Sequence, residues 1–204
     1  PLGLAVFALA AVVGIAMVLG RSPGLTVGAL AAAYTLAAAV QWLSEVPPQV
    51  ALMELLGGWM AAVILAVGVL QAPIDRRLVG AARRLAAVGA ARDEEGLVLP
   101  ALALFLALVV GSGLQSSALA TQLPVAVLRP AFALAAAGVL AAVFARSPLR
   151  LAAGVLTALA GFQMAYARLD PGLLISAGVA AFQLLFAVVA SHFVAMPGRD
   201  EGGP

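Results

Sequence analysis

The chain has 204 residues, 64% of them hydrophobic and only 10% charged, with nine acidic residues against eleven basic ones that are all arginine. No water-soluble domain of this size carries so apolar a composition, so the fold class read from it is an all-α integral membrane protein. There is no cysteine, no lysine and a single histidine, His192, which excludes bis-histidine haem, iron–sulfur clusters, thiolate zinc sites and Cys or Lys catalysis within the chain itself.

A bilayer core about 30 Å thick needs roughly 20 apolar residues per helix. Seven segments qualify in chain order: 2–20, 24–43, 50–71, 97–114, 125–145, 149–167 and 172–194. The first has no basic n-region and no clear small-residue cleavage site, and is read as a retained helix rather than a signal peptide. With seven spans, one side collects nine arginines and the other only Arg129 and Arg168. By the positive-inside rule this places the N-terminus outside and the C-terminus in the cytoplasm, in a multi-pass protein of the cell inner (plasma) membrane. Trp42 and Tyr166 fall near the outer ends of their helices, where amphipathic rings favour the headgroup region.

Between the third and fourth spans, residues 73–96 read PIDRRLVGAARRLAAVGAARDEEG. Ile74, Leu78, Ala81, Leu85 and Val88 recur at helical spacing, while the pairs Arg76, Arg77 and Arg83, Arg84 recur seven apart. One face is apolar and the other basic, the pattern of a helix lying on the cytoplasmic membrane surface. Its expected role is attachment to anionic lipid, or docking of a partner subunit through the four arginines.

Two stretches share an organisation. LGRSPGLTVGAL (19–30) and FARSPLRLAAGVL (144–156) each close one span with Arg-Ser-Pro and open the next, and Glu45 and Asp170 follow at the same step, each close to a proline. Spans 1 to 3 and 5 to 7 therefore read as parallel copies of a three-helix unit. The chain divides into a first three-helix unit (1–72), a surface helix (73–96), a connecting span and outer loop (97–123), a second three-helix unit (124–196) and a polar tail (197–204).

Few polar groups enter the spans. Glu54, in MELLGGWM, lies about one turn inside the third span and is the candidate proton- or ion-handling group. The competing reading is an interfacial glutamate satisfied by Gln49 or water. Gln41, Gln163 and Gln183 are amides that must find partners in a dry setting, either as interhelical glue or, for Gln163 and Gln183 together with Glu54, as a site between the two copies. Glu45 and Asp170 read as caps, Arg129 and Arg168 as snorkelling side chains, with Asp170 a partner for Arg168. Gly154 and Gly161 read as points of close helix contact. No Walker-type loop, no His-Glu-x-x-His, no Gly-x-Ser-x-Gly and no metal-spaced carboxylates occur, so no enzyme activity, metal, cofactor or nucleic-acid partner is expected.

The stretch from Arg146 to Phe193, with its basic turn, small-residue helix, short outer loop and final apolar helix, resembles the K subunit of respiratory complex I and the related C subunit of Mrp antiporters. The seven-span layout is similar to the E component of formate-hydrogenlyase-type hydrogenases. The resemblance implies a non-catalytic membrane subunit of a larger ion-translocating or electron-transfer complex, packed against other membrane subunits. The membrane glutamates of those families have no counterpart in LTALAGFQMAY or in the last span. The alternatives are a self-contained transporter of a small solute or ion, and a membrane anchor for a peripheral protein.

Overall fold

A computed structural model describes residues 2–19, 22–44, 46–71, 105, 124–145 and 147–196. Within them the chain forms six helices: α1 (Leu2–Leu19), α2 (Pro23–Leu43), α3 (Pro48–Gln71), α4 (Val125–Val143), α5 (Pro148–Leu169) and α6 (Leu173–Ala195). They coincide with six of the seven expected spans. The remaining span at 97–114, apart from Phe105, lies outside the described residues. So do the expected surface helix with Arg76, Arg77, Arg83 and Arg84, and the tail. Among the described residues five helices, α2 to α6, are long and apolar enough to cross a membrane, and the apolar stretch Ala5–Leu19 of α1 is shorter.

The two Arg-Ser-Pro motifs act as helix starts. Ser22 is the N-cap of α2 and its hydroxyl accepts the Leu25 N–H at 3.2 Å, with Pro23 in the first turn. Ser147 does the same for α5, accepting the Arg150 N–H at 3.3 Å, with Pro148 following. A serine there satisfies an otherwise orphaned N–H, and a proline at the first helical position gives up a hydrogen bond the helix never had. At the other end of α2 the chain passes through Val46 and Pro47 into α3, which starts on Pro48.

Among the six helices α1 lies against α4, α2 against α5, and α3 against α6, while α4 also packs closely on α5 and α2 on α3. Each of the first three pairs runs parallel. Tyr34 on α2 donates its hydroxyl to the Leu156 carbonyl on α5, and Gln41 reaches the Gln163 carbonyl, both across a separation of 122 positions. Gly57 and Gly68 on α3 likewise face Ala180 and Ser191 on α6 in the same order. The helices that the Arg-Ser-Pro motif matches thus sit side by side, with α2 and α5 in the middle.

Small residues set the spacing. A Cβ on Gly154 or Gly161 of α5 would come within 2.5 Å of the backbone nitrogen of Ala142 or Ala135 on α4, and one on Gly138 would come within 2.3 Å of Ala158 N. These backbones are in direct contact, the arrangement in which helices in lipid gain dispersion energy without a hydrophobic drive. Gly58 of α3 similarly lies under the ring of the fully buried Tyr34. By contrast α6 buries only a strip of Ser176, Gln183, Ala187 and Ala190, and presents Leu174, Phe182, Leu185 and Val188 outward.

Candidate functional site

On α3 the buried positions Val50, Ala51, Glu54, Gly57, Gly58, Ala61, Ala62, Leu65 and Gly68 recur at helical spacing. Glu54 falls on that stripe, so the helix register turns it toward its neighbours. It is 2% exposed, which corrects the expectation of an interfacial glutamate reaching headgroups. Its partner differs as well. The Gln41 amide on α2 donates to Glu54 Oε2, where Gln49 or water was expected.

Gln41 is at the corresponding height because it stands near the end of α2 and Glu54 near the start of α3, on either side of one short turn. Its amide also donates to the Gln163 backbone carbonyl at 3.5 Å. On the other unit, Gln183 of α6 donates through Nε2 to Gln163 Oε1 of α5 at 2.6 Å. Gln41, Glu54, Gln163 and Gln183 therefore form one buried chain joining α2, α3, α5 and α6. Gly57 lets α6 approach: a Cβ there would meet Ala180 Cβ at 3.3 Å and Gln183 Oε1 at 3.8 Å.

Three oxygens of this cluster, Glu54 Oε1, Gln41 Oε1 and Gln183 Oε1, are buried with no hydrogen-bond partner. Beside Gln41 and Glu54 a cavity of about 10 Å³ is lined by these two residues, Gln163, Tyr166 and Ser176 together with apolar side chains, close to the space one water-sized group needs. All of the unpartnered atoms are acceptors. A buried carboxyl group and spare lone pairs thus meet where α2 and α3 face α5 and α6.

The surrounding polar residues have structural roles. Arg168 donates to the Ser44 carbonyl, tying the end of α5 to the end of α2, rather than pairing with Asp170. Asp170 instead accepts the Gly172 N–H at 3.1 Å and the Tyr166 hydroxyl at 3.4 Å, and so shapes the turn into α6. Arg150 donates to the Val18 carbonyl at the far end. Arg129 is half-buried near the start of α4, and Trp42 is 59% exposed, as an interfacial ring would be. Glu45 lies outside the described residues. Among the described residues no three His, Cys, Asp or Glu side chains group as metal ligands.

The structure thus brings together the three sequence candidates Glu54, Gln163 and Gln183, and adds Gln41, which the sequence reading took only as helix glue. The signal was present: each pair, Gln41 with Glu54 and Gln163 with Gln183, stands on two helices joined by one short turn. The fold and site define a helical, membrane-type protein with a buried carboxyl group where α2 and α3 face α5 and α6. Comparison with family models, with curated proteins and with solved structures finds no match to this chain.

Proposed function

We propose that this chain is a membrane subunit of an ion-translocating complex and that the Glu54 cluster handles a proton or a small cation between its two three-helix units. The observation that carries this reading is Glu54 itself: buried, held by Gln41 through one oxygen, and left with the other unpartnered next to a cavity. A carboxylate in the interior of a membrane protein costs several kcal/mol unless its charge is compensated, and such groups mark ion pathways. A purely structural role would be served as well by a fourth amide.

Membership of a larger complex is the implication of the sequence resemblance, and the apolar outward faces of α3 and α6 offer surface for neighbouring helices as well as for lipid. The test is Glu54→Gln, which keeps shape and hydrogen bonding but cannot carry the charge. We expect it to reduce ion movement in sealed vesicles at least about tenfold, equivalent to 1.4 kcal/mol, while the protein assembles at wild-type levels. Wild-type ion movement in a fully assembled variant would reduce the cluster to helix packing.

A further inference from the structure

We propose that the cavity beside Glu54 is a binding site for one small monovalent cation of the sodium class; this rests on the ion-handling reading above and names its ligand. The argument starts from where the donors point. The Gln41 amide N–H groups are directed to Glu54 Oε2 and the Gln163 carbonyl. Gln183 Nε2 is directed to Gln163 Oε1, the Ser176 hydroxyl to the Gly172 carbonyl, and the Tyr166 hydroxyl to Asp170. What remains for the cavity is lone pairs, beside the Gln163 amide N–H group. Glu54 Oε1 and Gln41 Oε1 have no partner, and both residues are at most 2% exposed and line the cavity. The Ser176 and Tyr166 hydroxyl oxygens on the same wall have lone pairs that their donated protons do not use.

Such a set discriminates by charge and hardness. Oxygen ligands alone suit hard cations, and amide and carboxylate oxygens replace an ion's hydration shell as they do in selectivity filters. The single carboxylate balances one positive charge; a divalent ion would leave a net charge in a low-dielectric interior. An anion would meet the carboxylate oxygen and these lone pairs. The volume of about 10 Å³ admits one water-sized particle and no hydrated ion. Each unit supplies part of the wall, Gln41 and Glu54 from the first and Gln163, Tyr166 and Ser176 from the second, so an ion there would bind the closed junction in preference to a separated one.

The experiment uses the full chain purified in mild detergent, with sodium, lithium, potassium or choline chloride at constant ionic strength. Sodium should raise the thermal unfolding midpoint saturably over choline, by roughly 5 °C or more at a hundred times its Kd, and radiolabelled sodium should bind at one ion per chain. Lowering the pH should displace it, because a proton on Glu54 removes the balancing charge. Glu54→Gln should abolish both effects. Should that variant fail to fold, the wild-type comparison of sodium with choline still decides, and Ser176→Ala, which removes one hydroxyl oxygen, should weaken sodium binding. Equal midpoints in sodium and choline with no saturable labelled sodium would overturn the cation site. If Glu54→Gln then still blocks ion movement, the ion-handling reading survives with the proton as its ligand. Bound sodium with unchanged ion movement in Glu54→Gln would keep the site and remove the function.

Discussion

Gln41 and Glu54 show what a single contact decides in a dry interior. Glu54 has the Gln41 amide on one oxygen and nothing on the other. Gln41→Leu therefore takes away its donor and leaves a buried carboxylate oxygen facing apolar atoms. Leaving a buried polar group unmatched costs about 1–3 kcal/mol, and more when it is charged, whereas removing both partners together is close to neutral. We expect Gln41→Leu to destabilise the protein by at least about 2 kcal/mol and Gln41→Leu with Glu54→Leu to recover most of that loss, read as unfolding midpoints in detergent. Additive losses in the double variant would show that the two side chains do not act as a pair. The sequence made the presence of this glutamate plain and its height in the span nearly so. It did not give the rotation of α3 about its axis. That angle is fixed by the run of small residues at Ala51, Gly57, Gly58 and Ala61, which faces α2 and α6 and carries Glu54 inward with it.

The helices themselves were more legible, because their boundaries rest on local chemistry. Ser-Pro at 22–23 and 147–148 starts two helices in the same way, and the prolines at 47–48 and 171 stand at the turns between others. Glycine is less transparent, since its meaning depends on what faces it. Gly154 and Gly161 meet the α4 backbone, whereas Gly28 and Gly178 have nothing within 4 Å. Gly154→Leu or Gly161→Leu should force α4 and α5 apart and cost about 3 kcal/mol or more, because backbone atoms cannot yield as a side chain can. Gly28→Ala and Gly178→Ala should instead stabilise by about 0.5–1 kcal/mol through helix propensity alone. Unfolding midpoints of the four variants check both directions, and a tolerated leucine at 154 would contradict the close α4–α5 contact.

For the molecule as a whole, the parallel order of the helix pairs is the one that the seven spans expected from the sequence would give, with an even number of reversals between the two Arg-Ser-Pro motifs. Which helix of one unit would lie against which helix of the other could not be counted, because apolar stripes in so Ala- and Leu-rich a chain are nearly interchangeable. The pairing is set by a few specific fits: Tyr34 over Gly58 and onto Leu156, Gly68 against Ser191, and the four-residue polar chain. The polar contacts gather toward the end of the spans that carries the α2–α3 and α5–α6 turns, while the α4–α5 backbone contact extends along both helices.

Ownership of the cluster is divided, with the carboxylate and its donor in the first unit and two amides in the second. A chain severed between residues 96 and 97 would thus yield two fragments that each hold an incomplete half, and co-expression should restore ion movement that neither fragment supports alone. The fragments also have a reason to choose each other. Two copies of the first, meeting as α2 and α3 now meet α5 and α6, would set two Glu54 carboxylates across one dry seam, where like charges repel strongly. Two copies of the second would meet there with no charge at all. The presence of a buried acid in the first half therefore gives the halves a sense of self and partner, and recovery of mixed pairs in excess over same-fragment pairs after co-purification is the measurement that checks it.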